Sequence, residues 1–277
     1  MNNNNNNNNT KRGLIIGAAA CVFTLAGAAH GGALTESASA AAFADDHKHD
    51  AKALEILDGY LEKLGGVEVI DAIESTRLTG TMEIPMAGLT GNMVMMSKRP
   101  GMVSMTITIP GFGETRSGYD GNVGWSSDPM SGPRLMTEDE VESLKEQADP
   151  RIAMQYRDLY KTIEYAGQTG FEGSEAHKIR LVDADGDEQI EYFDPGSGLM
   201  VGQVSTQATP MGEIEVTTVM SDYKEFGGMS MPTKIVTKLG PQEIIMNITT
   251  AEINNVEADV FELPAEIKAL VDAKEDG

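Results

Sequence analysis

Closely spaced runs of alternating apolar and polar residues between positions 78 and 125 constrain the fold of this chain more than any other feature. The runs cover residues 78–84, 89–96 and 103–109, and a fourth leads through Tyr119 to Trp125. In the third run every odd-numbered position is apolar and every even-numbered one is Ser or Thr, the pattern of a strand with one buried face. Pro and Gly at the breaks indicate turns. Strands this close, with no helix between them, can pair only as an antiparallel meander.

Methionine occupies one face of this predicted meander where Phe, Ile or Leu is usual. The chain has 17 Met against 7 Phe, 7 Tyr and 1 Trp. A flexible, polarizable thioether side chain can adapt to ligands of different shapes, although the same pattern fits a lineage that favours Met in protein cores. We predict that an apolar ligand site has a wall made of Met82, Met93, Met95, Met105 and Ile107.

The charge balance limits the partners of the chain. The formal net charge is −22 over 277 residues, and the sequence pI is near 4.4. A surface this acidic disfavours nucleic acid and tight binding to an anionic membrane surface. We therefore predict no nucleic-acid partner.

The amino-terminal segment has the pattern of an export signal. After a low-complexity poly-Asn stretch at 2–9, Lys11 and Arg12 are followed by an apolar run at 14–29 and by Ala42-Phe43-Ala44, a cleavage pattern. The run is too short, and too rich in Ala and Gly, for a permanent membrane anchor. We predict a signal peptide over residues 1–44 with cleavage after Ala44, and a periplasmic mature chain.

The one cysteine, Cys21, lies inside this predicted signal peptide. Its surroundings loosely resemble a lipidation motif, but the Leu or Val expected three residues earlier is missing. Lipidation of Cys21 is therefore left open. Cleavage after Ala44 would leave a mature chain without cysteine, so its stability must come from burial of a core and not from disulfides.

Two helical blocks flank the meander. An amphipathic helix is predicted at 51–64 and a short one at 67–73; after the meander, Thr137 with Glu140 forms a capping box, and Asp149-Pro150 begins a further helix. Strands resume at 162, and a short helix is predicted at 265–273. About ten strands and a few helices without a flexible linker predict one α+β domain over 45–277. From the helical blocks we predict lid residues Leu54, Leu57, Val141, Leu144 and Tyr156.

Metal binding has one candidate residue. If the mature chain begins at Asp45, His47 is its third residue, and the terminal amine, two amides and the imidazole could hold Cu(II) or Ni(II) in a plane. Met93 with Met95, and Met229 with Met231, could offer thioether sulfur to Cu(I). Met at period two is more often core. We predict no metal site and keep His47 as the residue to test.

Sequence motifs give no support for catalysis. The chain contains no H-E-x-x-H, G-x-S-x-G or P-loop pattern, which are the signatures of zinc peptidases, serine hydrolases and nucleotide-binding enzymes. His177, the one histidine of the predicted folded region beyond the leader, is expected to be an exposed residue on an edge strand. We predict that the protein is not an enzyme and needs no cofactor.

The order of these pieces resembles a known family. The motifs that carry the resemblance are the Leu-rich helix ending in Gly65-Gly66, the strands at 78–81 and 89–97, Tyr119-Asp120-Gly121 with Gly124-Trp125, Tyr192-Phe193-Asp194 with Gly198-Leu199, the hairpin at 223–232, and Phe261 to Pro264. In order and spacing they resemble the outer-membrane lipoprotein-sorting proteins, the LolA/LolB-like superfamily, in one of its periplasmic branches. The resemblance spans residues 51–264. Each motif by itself is a common turn sequence, so the specificity comes from the order and spacing of the motifs.

The resemblance implies a strongly curved antiparallel half-barrel covered by helices, with an apolar cavity for the acyl chains of lipoproteins or other lipids. It also implies an arginine that holds the helical lid, for which the candidates are Arg77, Arg116, Arg151 and Arg157. We therefore expect a monomeric, non-enzymatic periplasmic carrier. The alternatives are an envelope lipid or lipoprotein sensor that regulates a protein partner, and a periplasmic Met/His copper-binding protein.

Overall fold

The computed structural model of the protein describes residues 47–209 and 212–275. The predicted signal peptide, the cleavage site after Ala44 and Cys21 lie outside the described residues. Within them, no helix has the length and apolar character needed to cross a membrane.

Fourteen strands form one open, curved sheet, and two more form a separate hairpin. The strands are β1 (Lys48–His49), β2 (Ser75–Ile84), β3 (Leu89–Lys98), β4 (Met102–Ile109), β5 (Gly113–Tyr119), β6 (Gly124–Asp128), β7 (Gly132–Leu135), β8 (Tyr160–Phe171), β9 (Ser174–Asp183), β10 (Glu188–Phe193), β11 (Met200–Thr209), β12 (Gly212–Ser221), β13 (Lys224–Phe226), β14 (Met229–Met231), β15 (Lys234–Leu239) and β16 (Gln242–Ile253). The order in the sheet is β1-β8-β9-β10-β11-β12-β15-β16-β2-β3-β4-β5-β6-β7, and β13 pairs with β14.

This architecture confirms the predicted α+β half-barrel, but the strand count of about ten was too low. The sheet is antiparallel throughout except for the short β1–β8 pair. Strands such as β5 and β7 were not predicted from the sequence, because Gly, Pro, Arg and Glu interrupt their alternation of apolar and polar residues. Their pairing is enforced by the neighbouring strands and not by a pattern of their own.

The predicted alternation in the meander is confirmed by burial. In β4, Val103, Met105, Ile107 and Ile109 are buried, while the residues between them are exposed or half-buried. Met105 lies directly opposite Met95 of β3, and Ile107 opposite Met93. Directly opposed residues point to the same side of a sheet. These side chains therefore share one face, which we call the interior face.

Five α-helices accompany the sheet: α1 (Ala51–Lys63), α2 (Gly66–Asp71), α3 (Glu138–Ala148), α4 (Tyr156–Leu159) and α5 (Ala265–Glu275). Helix α1 begins at Asp50, whose carboxylate accepts hydrogen bonds from the backbone N–H groups of Lys52 and Ala53 at 2.7 and 3.3 Å. It buries residues 53, 57, 60 and 61, which share one helix face. The capping box of Thr137 and Glu140 at the start of α3 is confirmed.

The helix predicted to begin at Asp149-Pro150 is divided in two. Pro150–Met154 forms a 3-10 helix, and α4 is a single turn that follows it. Gln155 separates them with φ −102° and ψ 4°, outside the α-helical region. Tyr156, directly after this break, is buried in the core.

Two apolar clusters fill the space over the interior face. The first, here the methionine cluster, contains Ile73, Leu78, Met82, Ile84, Met93, Met95, Met105, Ile107, Ile109, Met229, Met231, Ile235, Ile244, Met246 and Ile248. The second, here the helix-side cluster, joins α1, α2 and α4 to β8–β12 through Ala53, Leu57, Tyr60, Leu61, Leu64, Ile70, Tyr156, Tyr160, Ile163, Ile179, Leu181, Phe193, Met200 and Met220.

Candidate functional site on the interior face

All five predicted wall residues lie together on the interior face, and each is 9% exposed or less. They belong to the methionine cluster. The cluster extends beyond the meander, because Met82 lies opposite Met246 of β16, and Met246 lies opposite Ile235 of β15. Sequence analysis missed these two residues as part of the same surface, since nothing in the sequence places β16 beside β2.

The β13–β14 hairpin, and not a long helix, packs over the methionine cluster. It contributes Met229 and Met231, both buried, and Val69 of α2 packs beside them. The backbone N–H of Ser230 donates to the carbonyl oxygen of Leu64 at 2.9 Å, which joins the hairpin to the end of α1. A Cβ on Gly65 would lie 2.6 Å from the Gly228 carbonyl oxygen, so this approach requires glycine.

The predicted lid residues are divided between two places. Leu57 and Tyr156 are buried in the helix-side cluster, and Leu54 packs partly buried against it. Val141 lines a cleft between α3 and α5, and Leu144 is half-buried. None of the five belongs to the methionine cluster, so their role as a lid stays a prediction.

Two clefts border the interior face. One of about 230 Å³ lies between the β3–β4 turn and the end of α3, and its charged lining residues are Glu74, Lys98, Arg99, Lys145, Asp149 and Arg151. The other, of about 660 Å³, is lined by Met136, Val141, Val271 and neighbours from the β5–β6 turn. Neither cleft is lined by a predicted wall residue. Because each wall residue is 9% exposed or less, the wall is covered by packed side chains, and its role as a ligand site stays a prediction.

A row of polar side chains interrupts the apolar character of the interior face on β10, β11, β12 and β15. Glu191 lies opposite Gln203, Gln203 opposite Thr218, and Thr218 opposite Thr237. These four residues, with Gln189 of β10 as a fifth, are 3% exposed or less; we call them the polar row. Sequence analysis missed it because a polar residue in an alternating strand is normally assigned to the solvent side.

Glu191 is the ionisable member of the polar row. Burial raises the pKa of its carboxyl group to about 8, although the hydrogen bond from Gln189 opposes this shift. The Gln189 amide nitrogen donates to Glu191 Oε1 at 2.9 Å. Burial foremost, and the Glu191 charge as well, raise the pKa values of Tyr60, Tyr160 and Tyr223. Because the pKa of Glu191 is raised to about 8, its carboxyl group is mainly in the neutral form near pH 7.

Comparison with known proteins gives a fold and no sequence family. No protein-family model matches the sequence, and no curated protein matches it. A DUF1329 family protein from Desulfovibrio piger is similar at a TM-score of 0.54 and 12% identity, covering 76% of this chain and 97% of the other. A LolA superfamily protein from Nitrosomonas europaea is similar at 0.51 and 11%, with the same coverages. The chain has a LolA-like fold.

A third similar structure agrees with this assignment. It is a domain from Vibrio parahaemolyticus, described as an outer membrane lipoprotein-sorting protein, with a TM-score of 0.50, 9% identity, and 76% and 97% coverage. The identities are low, so these likenesses establish the LolA-like fold alone.

One of the four candidate arginines joins two helices of the LolA-like fold. Arg157 of α4 donates to Asp58 of α1 at 2.8 Å, and its guanidinium lies 4.7 Å from the Tyr156 ring centroid. The Tyr156 hydroxyl also donates to Asp58. The hydrogen bond from Arg157 lowers the pKa of Asp58, against a smaller effect of burial. We refer to Asp58, Tyr156 and Arg157 as the α1–α4 latch.

The other candidate arginines have different surroundings. Arg116 pairs with Glu266 of α5 at 2.5 Å, Arg151 pairs with its neighbour Asp149, and Arg77 is exposed on β2. Only the Arg157 interaction, among these four, reaches α1. Its role in holding a mobile lid stays a prediction.

The two histidine predictions have different outcomes. His177 lies half-buried on β9, between β8 and β10, and its Nδ1 is 3.0 Å from the Tyr165 hydroxyl. The expectation of an exposed edge residue was wrong, because β8 pairs on the outer side of β9. His47 packs edge-on to His49, and the amine that its copper site needs lies outside the described residues. In the described ranges, no group of three or more His, Cys, Asp or Glu side chains could hold a metal ion.

Proposed function

We propose that this protein is a non-enzymatic carrier in the periplasm that binds acyl chains of lipids or lipoproteins against the interior face. The observation that supports this most is the methionine cluster. Its sheet side is a continuous apolar surface over β2, β3, β4, β15 and β16, and its cover is a short hairpin and α2. A small cover can be displaced at lower cost than a second sheet, and Met side chains adapt to the shape of what replaces it.

The energetics of uptake follow from exchange of apolar contacts. Burial of an acyl chain contributes about 0.8 kcal/mol for each CH₂ group removed from water. This gain is offset by the contacts of Met229 and Met231 that the chain must replace. Uptake and release are therefore both accessible when the two sets of contacts are similar. Transfer to an acceptor needs only a difference in affinity between the open and closed states.

The direct test is to purify the protein without detergent from the periplasm of the cells that make it, and to record its native mass spectrum. We expect a mass increment that dissociates as a lipid or acylated peptide. A spectrum of bare polypeptide, together with no binding of a fluorescent fatty acid at micromolar concentration, would contradict the carrier proposal. A bound copper ion would support the copper-binding alternative instead.

A disulfide can test whether α3 must move. A Cβ atom on Gly124 would overlap the Val141 Cγ2 atom. The double variant G124C/V141C removes that methyl group and places two thiol groups side by side, so they can be oxidised to a disulfide. The other cysteine of the chain, Cys21, lies in the predicted signal peptide. We expect the oxidised variant to lose fatty-acid binding and the reduced variant to keep it. Equal binding by both forms would show that α3 is not a lid.

A second candidate function, regulation of a protein partner, is favoured by one surface feature. Met86, Phe112 and Met130 are 66%, 42% and 76% exposed. They lie in the β2–β3, β4–β5 and β6–β7 turns, which an antiparallel meander places at the same end of the sheet. Exposed apolar groups gathered at one end mark interaction sites, and the acidic surface disfavours an anionic membrane as the partner.

Site-specific photo-cross-linking can test this second candidate. A photoreactive amino acid at position 86, 112 or 130 should cross-link one and the same envelope protein in living cells. Val67 is a matched control, because it is 53% exposed and lies in α2. This helix precedes the start of β2, at the other end of that strand from the β2–β3 turn. Equal cross-linking from position 67, or different products from the three turns, would count against a docking surface.

A further inference from the structure

The polar row has hydrogen-bonding atoms that the protein leaves without partners. Among the described residues, the side-chain oxygens of Gln189, Gln203, Thr218 and Thr237 are buried and accept or donate no hydrogen bond, and the Tyr160 hydroxyl is in the same situation. Gln203, Thr218 and Thr237 lie directly opposite one another on three adjacent strands, and Gln189 lies two residues from Glu191, which is opposite Gln203. Ser117 Oγ on β5, opposite Met105, is a further buried hydroxyl without a partner. Four of these unpartnered atoms, those of Gln189, Gln203, Thr218 and Thr237, are therefore gathered in one region of the sheet.

Such a cluster is costly for folding alone. An unsatisfied buried polar atom costs about 1–3 kcal/mol, and folded proteins satisfy the large majority of them. The same interior face shows the ordinary arrangement elsewhere, since Thr76 Oγ1 and Ser97 Oγ lie 2.8 Å apart and bond to each other. Valine would fill the positions of Thr218 and Thr237 without the cost of an unsatisfied hydroxyl group. The presence of threonine there is explained if a molecule from outside the protein bonds to these hydroxyl groups.

The row adjoins the methionine cluster directly. Thr237 is two residues from Ile235 and lies opposite Ile244, and both isoleucines belong to that cluster. A molecule with an apolar chain along the methionine cluster would thus carry its polar end to Thr237 and Thr218. Amphiphiles have this combination of an apolar chain and a polar end.

The chemistry of the row selects the kind of polar end. Gln189 and Gln203 present carbonyl oxygens that only accept, while Thr218, Thr237 and Tyr160 present hydroxyl groups that donate and accept. No lysine or arginine belongs to the row, whose members are all described. An anionic head would face carbonyl oxygens and the carboxyl group of Glu191, whereas hydroxyl groups can satisfy acceptors and donors together.

We propose that the polar row is a head-group site for an uncharged, hydroxyl-bearing amphiphile of the monoacylglycerol type, whose chain lies on the methionine cluster. The inference rests on the proposed carrier function. Occupation requires the side chains that now close over the row to move apart, because its unpartnered oxygens have no contact with solvent. The cover over this part includes Tyr60 of α1, whose hydroxyl bonds to Tyr223 near Glu191.

The test compares three amphiphiles with one chain length: monooctanoylglycerol, octanoate and octylamine. Calorimetric titration of the wild-type protein should give at least about 10-fold tighter binding of monooctanoylglycerol than of the two charged compounds. The variant T218V/T237V should lose most of this preference while it still binds the chain. Its Tm should rise by at least about 2–4 °C, because it removes two unpartnered hydroxyl groups that each cost about 1 kcal/mol or more.

T76V is the matched control, because it makes the same replacement at a buried threonine that has a partner on the same face. Its Tm should fall and its head-group preference should stay unchanged. Equal affinities of the wild-type protein for all three compounds would overturn the head-group site and leave the carrier function intact. Absence of binding by every compound would overturn both. The wild-type comparison decides the matter even if the double variant fails to fold.

Discussion

The two parts of the interior face have the same alternation and opposite chemistry. On β3 and β4 the buried Met and Ile side chains all belong to the methionine cluster, and the other buried positions there are Gly91, Ser97 and Val103. On β10, β11, β12 and β15 the buried positions include Glu, Gln and Thr, several without hydrogen-bond partners. The first part is an ordinary apolar core by composition. Unpartnered buried polar atoms, as in the second part, cost folding free energy, which indicates that stability is not the only property for which its residues are suited.

The largest effect should come from truncation in the methionine cluster. Met105 is 2% exposed, so M105A should lower the free energy of unfolding by about 2–5 kcal/mol through lost burial and a cavity. Urea unfolding measures the change. M105L keeps the volume and should cost less than about 1.5 kcal/mol.

A control on the surface sharpens this prediction. Met130 is 76% exposed, and M130A should change stability by no more than about 0.5 kcal/mol. If M105A is as mild as M130A, the methionine cluster is not a tightly packed core. The contrast between the two parts of the face would then fail.

Glu191→Gln should have the next largest effect, and in the opposite direction. The folded-state pKa of Glu191, about 8, lies above the unfolded value near 4.5. The unfolded chain therefore releases this proton at lower pH than the folded chain, and the wild-type protein loses stability as pH rises from 4.5 to 8. E191Q removes this loss, so it should be more stable by on the order of a few kcal/mol at pH 8.

The pH profile separates this effect from a general gain in stability. The difference between E191Q and the wild-type protein should be small at pH 4 and should grow until about pH 8. A difference that does not depend on pH would mean that Glu191 is not buried in its neutral form. The Gln189 amide can still donate to the new side chain, so local packing is preserved.

The contrast between the two parts also explains how far the sequence could predict the structure. Alternation in the meander gave the strands, their antiparallel pairing and the shared face of Met93, Met95 and Met105 correctly. Those inferences depend only on local period and turn chemistry. The resemblance to lipoprotein-sorting proteins supplied the half-barrel, which local patterns do not contain.

The alternation rule gave wrong assignments where a buried position carries a polar residue. Glu191 and Gln203 occupy buried positions of alternating strands, and a period-two rule assigns such residues to the solvent side. The pairing of β16 with β2 joins segments more than 150 residues apart, and no short-range signal specifies it. The predicted lid failed to form one group for a similar reason, since the sequence does not say which cluster each helix will contact.

The helices over the two parts of the face are held in different ways, and this predicts two smaller effects. Helix α3 lies over the meander and begins with the Thr137–Glu140 capping box. T137A removes one side of it and should cost about 1 kcal/mol. T137S keeps the capping oxygen and is the control, and thermal unfolding of both variants is the measurement. An equal loss in T137S would contradict a capping role.

The smallest effect is expected at the α1–α4 latch over the helix-side cluster. The side chains of Asp58 and Arg157 are 50% and 45% exposed, so D58N should cost only about 0.2–1 kcal/mol at neutral pH. The lowered pKa of Asp58 means that its contribution is present above the unfolded pKa and is lost as pH falls through the folded value. D58N and the wild-type protein should therefore become equally stable in acid. A loss of this size in D58N is consistent with α1 moving away from the sheet when ligand enters. A loss of several kcal/mol would instead make α1 a fixed part of the core. The β13–β14 hairpin would then be the movable cover.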